Sequence, residues 1–110
     1  MVKIKRFDVF LVNLAPTVGS EIKKTRPAVI ISPDSMNLSR LKTVIIAPMT
    51  STIKDNFPTR VMTFFKDQAG QIALDQLRAI DRTRIVKKLG VIEKETQINT
   101  LNILGILFQK

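Results

Sequence analysis

Short apolar runs, each closed by proline, glycine or a polar turn, constrain this chain most. FDVFLVNL (Phe7–Leu14), AVIIS (Ala28–Ser32), TVIIAPM (Thr43–Met49), TRVMTFF (Thr59–Phe65) and QIALDQLRAI (Gln71–Ile80) favour strands through their β-branched, aromatic or alternating residues. TRIVK (Thr83–Lys87) adds a short sixth, breaking at Gly90. In the first run both alternating faces are mostly apolar, which predicts a strand covered on both sides. Pro48 demotes the end of the third to an edge or a bulge and leaves Thr50 and Ser51 where the ladder stops.

The period changes near Glu93. Ile98, Leu101, Leu104 and Phe108 recur at helical spacing, and Ile103, Ile106 and Leu107 widen that face. Gly105 inside the helix costs ~1 kcal/mol relative to alanine; close packing at a subunit interface explains it no better than chance does. Pro33–Lys42 has room for one helical turn, and Lys66–Gly70 reads as a turn. Five or six strands followed by one helix predict a mainly β (α+β) fold, a small curled antiparallel sheet, in a single domain over residues 1–110.

Eighteen basic side chains face nine acidic ones, a net charge of +9. That balance favours a polyanionic partner, nucleic acid before an anionic membrane, although a protein can also be basic without such a partner. Cysteine and histidine are absent, so disulfide and thiolate chemistry and most zinc or transition-metal sites are excluded. Magnesium on oxygen ligands is not excluded by composition, but carboxylates are few and scattered, and no metal site or cofactor is assigned. The longest apolar runs fall short of the ~20 residues of a membrane helix. The start, MVKIKRFDVF, lacks the apolar core of a signal peptide, which points to a cytoplasmic location away from membranes.

PTVGSEIKKTRPAVIIS (Pro16–Ser32) is a long basic loop that empties into an apolar strand. Gly19 eases a turn. Arg26, before Pro27, is biased toward extended geometry, at the mouth of the strand. An arginine fixed beside Lys23 and Lys24 suits phosphate. Two more polar elements end strands: Thr50 after IAPM, and Asp75–Gln76 within LDQLR. Singly, each has an ordinary structural use. Arg26 fits a surface ion pair, Thr50 a strand end, Asp75 a turn, Gln76 a sheet edge, and Phe57 a lid over the core.

Their order is more telling. PTxGSE, then RPAVIISP, then IAPMTS, then LDQLRxIDR, between about Asp8 and Gly90, resembles the MazF/PemK family of bacterial toxin ribonucleases. The resemblance implies an SH3-like barrel of five to seven strands with a C-terminal helix, paired as a homodimer. It implies metal-independent cleavage of single-stranded RNA at short motifs, and inhibition by a cognate antitoxin with an acidic tail. By position, Arg26 and Thr50 match the family's catalytic pair and Glu21 a residue implicated in some members. Ser20, Lys24, Asp75 and Gln76 fall where the substrate groove is lined. Relatives with histidine before the arginine differ from this chain, which has Thr25. Relatives with an arginine two places before the DQ aspartate differ too, since that position is Ala73 here.

RNA brings its own nucleophile, the 2′-OH, so a protein must orient it, take its proton and stabilise developing charge. Arg26 can hold two phosphate oxygens and Thr50 can donate one hydrogen bond. An arginine keeps its proton at ordinary pH, which leaves Glu21 as first candidate for the base and Asp75 as second. With neither Trp nor Tyr in the chain, base reading leans on Asn56 and Gln76. Two alternatives stay open at this level: a gyrase poison like the related CcdB toxins, and an RNA-binding module without catalysis.

Overall fold

The computed structural model describes residues 3–14 and 25–110. Ser20, Glu21, Lys23 and Lys24, with the loop that holds them, lie outside the described residues. The described elements are seven strands and two helices. The strands are β1 (Asp8–Asn13), β2 (Thr25–Ile30), β3 (Thr43–Thr50), β4 (Arg60–Phe65), β5 (Gln68–Ala73), β6 (Arg78–Asp81) and β7 (Ile85–Val91). The helices are α1 (Asp34–Asn37), a single turn, and α2 (Lys94–Leu107). The sheet runs β4-β5-β3-β2-β1-β7, with β6 also on β3, and every pairing is antiparallel.

Alternation along β1–β3 feeds two cores. Val9, Val29, Ala47 and Met49 face one, which α2 covers with Ile103 and Leu104. Phe10, Val12, Ala28, Ile30, Val44 and Ile46 fill the other, on the opposite face. The first strand is therefore covered on both sides, as its two apolar faces require. Phe10 is wholly buried, and cutting it to alanine would cost ~3–5 kcal/mol.

Three expectations change. The run Gln71–Ile80 is not one strand. It breaks at a 3-10 turn, Leu74–Gln76, between β5 and β6. Both strands pair with β3, over Met49–Thr50 and over Thr43–Ile46, so the chain must step across between them. Pro48 lies in that gap, which is how a central strand tolerates it. Strand β7 runs through Gly90, with a register shift opposite Val9/Phe10 and the Phe65 ring 3.1 Å from where a Cβ would sit.

Helix α2 keeps Ile103 and Leu104 of its predicted apolar stripe on the core and turns the rest outward. Its buried positions are Thr96 and Thr100, with the Thr100 hydroxyl satisfied by the Thr96 carbonyl (2.7 Å). Ile98, Leu101, Ile106, Leu107 and Phe108 are exposed. A Cβ at Gly105 would meet nothing within 4 Å.

Side chains lock the connection from β2 to β3. The Ser32 hydroxyl donates to Asn37 Oδ1 (2.6 Å), Asn37 Nδ2 donates to the Ser32 carbonyl (2.9 Å), and the Ile45 amide donates to Ser32 Oγ (3.1 Å). The chain so held runs straight into β3, whose far end is Thr50.

Candidate active site

A missing amide opens the site. Phe7 donates to the Ile30 carbonyl on one side of β2, and Ile31 donates to the Ile45 carbonyl on the other, both at 2.8 Å. Backbone groups alternate sides along a strand, so residue 27 turns its nitrogen toward β3. It is Pro27 and has no hydrogen to donate. The β2–β3 ladder stops at Ala28↔Pro48. Beyond that pair β2 stays on β1 as far as Thr25↔Asn13, while β5 holds the other side of β3 at Met49↔Ile72 and Thr50↔Gln71.

A cavity of about 130 Å³ lies at this parting, and Arg26, Pro27, Met49, Thr50, Thr63 and Gly70 are among its walls. Continuing the register two residues past Ala28↔Pro48 sets Arg26 opposite Thr50. Strand β2 begins at Thr25, so Arg26 stands within the strand rather than before it, and Pro27 is not the strand's first residue. Both expected residues thus line one cavity. Thr50 Oγ1 accepts the Thr52 amide (3.1 Å). That bond uses a lone pair and leaves the hydroxyl proton to donate elsewhere.

Asp75 and Gln76 occupy the 3-10 turn and are not among the cavity walls. The Asp75 carboxylate takes both prongs of Arg60, Nε to Oδ1 at 2.7 Å and Nη2 to Oδ2 at 3.2 Å. Partial burial pushes the Asp75 pKa up, but the hydrogen bonds and positive charge of Arg60, with its own backbone, outweigh this and hold it below the ordinary 3.8. A carboxylate so engaged is a weak base. Arg60 is the cross-strand partner of Ala73. An arginine from β4 therefore meets this aspartate although position 73 carries none.

Asn56 is exposed, with φ of 62°, on the loop between β3 and β4. Phe57 on the same loop is 45% exposed, so it is no lid over the core. Lys54 and Arg60 lie 5.4 and 5.8 Å from its ring centre. Sequence reasoning missed Thr63, Phe65, Gln68 and Gly70 as cavity walls. Gly70 did leave a signal, since glycine within a strand marks a close backbone approach. Among the described residues no group of three or more Asp or Glu side chains is placed to hold a metal.

Residues 5–108 match the model of the PemK-like, MazF-like toxins of type II toxin–antitoxin systems. The chain is 38% identical over 108 residues to Endoribonuclease MazF of Staphylococcus epidermidis, covering 94% of this chain and 89% of that protein. Its fold resembles the crystal structure of MazF from Deinococcus radiodurans, with a TM-score of 0.83 at 22% identity and full coverage of both chains. It also resembles a mycobacterial endoribonuclease in complex with its cognate antitoxin, with a TM-score of 0.75 at 19% identity, covering 96% of this chain and 93% of that one. With this fold, these motifs and that match along nearly its whole length, the chain belongs to the PemK-like, MazF-like toxins of type II toxin–antitoxin systems.

Proposed function

We propose that this chain is an endoribonuclease that cuts single-stranded RNA at short motifs without a metal. The observation that supports it most is the single cavity shared by Arg26 and Thr50. A phosphodiester in that cavity meets a guanidinium that neutralises the charge of the pentavalent transition state and a hydroxyl that donates to a phosphate oxygen. The neighbouring 2′-OH gives up its proton, attacks phosphorus and expels the 5′-oxygen, which takes a proton from water, giving a 2′,3′-cyclic phosphate and a 5′-hydroxyl. Glu21 is the proposed base, because Asp75 is committed to Arg60. Ser20, Lys23 and Lys24 carry the flanking backbone, and Asn56, Asp75 and Gln76 meet bases splayed from the strand.

The toxin acts in the cytoplasm as a homodimer. The exposed apolar face of α2 supports pairing, and the net charge of +9 suits both RNA and an acidic antitoxin tail. Pure protein incubated with end-labelled, mixed-sequence RNA in excess EDTA, beside a gyrase-cleavage assay, tests the reading. RNA fragments with 5′-hydroxyl ends are expected. Dependence on added magnesium, 5′-phosphate ends, or gyrase poisoning without RNA cleavage would contradict it. RNA binding without any cut would leave a binding module.

A further inference from the structure

Gln71 is buried, at 4% exposure, on the strand that carries Thr50's cross-strand neighbour, which is Gln71 itself. Its carboxamide turns away from that ladder toward the β3–β4 loop. Oε1 accepts the Lys54 amide and Nε2 donates to the Lys54 carbonyl, each at 3.1 Å. One side chain thus supplies both bonds that a neighbouring strand would give. Nε2 also reaches Met62 Sδ at 3.4 Å. The far end of the loop is tied by the Arg60 amide to the Phe57 carbonyl (3.1 Å). Arg60, with a side chain only 4% exposed, is fixed in turn by Asp75. Between these anchors the loop presents Phe57, half in solvent, with two cations within 6 Å of its ring.

An exposed aromatic ring with the Lys54 ammonium 5.4 Å from its centre suits one nucleotide, the base against the ring and the phosphate against the lysine. The chain has neither Trp nor Tyr to offer instead. The loop that carries Phe57 leaves β3 at Thr50, which is itself a cavity wall and the cross-strand partner of Gln71. A nucleotide held on that loop therefore adjoins the one at the cut.

We infer that Gln71 is a positioning residue for RNA recognition, whose buried carboxamide fixes the β3–β4 loop so that Phe57, with Lys54, holds a nucleotide beside the cleavage cavity. The inference rests on the ribonuclease reading. Gln71→Met keeps length and bulk and removes both bonds to Lys54. Phe57→Leu changes an exposed side chain and leaves the core alone.

Steady-state cleavage of the oligonucleotide that the parent cuts fastest from a mixed pool is the test. Each variant should raise KM about tenfold, with most of the loss in kcat/KM falling on KM. The double variant should stand within about twofold of the worse single one, because both act through one surface. If Gln71→Met does not fold, the isosteric Gln71→Glu, which keeps the acceptor for the Lys54 amide and loses the donor to the Lys54 carbonyl, takes its place beside Phe57→Leu. A parent that cuts RNA, with a Phe57→Leu protein at the parent's KM or with losses that multiply, overturns this inference only. A parent that cuts no RNA overturns the ribonuclease reading and this inference together.

Discussion

The carbonyl oxygen of Thr50 stands 2.6 Å from the point a Cβ on residue 70 would occupy. Both residues wall the cavity. A methyl there must push β3 from β5, since the obstacle is backbone and cannot rotate aside. Gly70→Ala is expected to cost ~1–3 kcal/mol of stability and about 10²-fold in cleavage rate, as Thr50 moves from its place. Thermal melting beside a cleavage time course checks it. An alanine protein that melts and cuts like the parent would show that the strands yield freely.

The Arg60–Asp75 pair gives stability a definite pH dependence. The Asp75 pKa is lowered in the fold, so its contribution is complete above the unfolded value and is lost as pH falls through the folded one. The parent should therefore be more stable than Asp75→Asn at neutral pH, and the two should converge below pH about 4. Melting temperatures of both proteins from pH 7 downward measure this. A constant gap across that range would contradict it.

Helix α2 offers a test of pairing. Ile106 is 65% exposed, so a charge there leaves the single-chain core intact. Ile106→Glu is expected to change the folded chain's own stability by no more than ~0.5 kcal/mol and to halve the mass measured by light scattering. A parent that already has the mass of one chain would remove the helix from any homodimer.

The hairpin between β4 and β5 turns through Lys66 and Asp67, at φ of 49° and 63°, with Phe65 opposite Gln68. Two left-handed residues make the turn that matches strand twist, and glycine takes that conformation without steric cost. Asp67→Gly should raise stability by ~0.5–1 kcal/mol, read from chemical denaturation. A loss would mean that the Asp67 side chain contributes more than its backbone strain costs.

The strands and the cavity residues were legible in the sequence for different reasons. Alternation located the strands because side chains on β1–β3 divide cleanly between two cores. It failed at Leu74, which is buried like a strand residue yet belongs to the step from β5 to β6. Helical spacing found α2 and, in Ile103 and Leu104, part of its core face, but the core also takes Thr96 and Thr100 and leaves Ile98 and Leu101 in solvent. Periodicity finds an apolar stripe without saying what covers it. Arg26 and Thr50 each adjoin a proline in the sequence, but the order of RPAVIISP and IAPMTS, and its resemblance to the toxin family, is what singled them out. Their shared cavity was not readable, since it depends on Pro27 turning its nitrogen toward β3. The partnership of Arg60 with Asp75 was hidden because cross-strand register joins residues fifteen apart.

In the proposed reaction Arg26 and Thr50 act on one phosphodiester. Single-turnover cleavage of RNA in EDTA by Arg26→Ala, Thr50→Ala and the double variant, each shown to fold, tests it most directly. Each single change should cost about 10²–10³-fold in rate, and the double should fall well short of the product of the two. A folded alanine protein that cuts at the parent rate, or two losses that multiply fully, would contradict it.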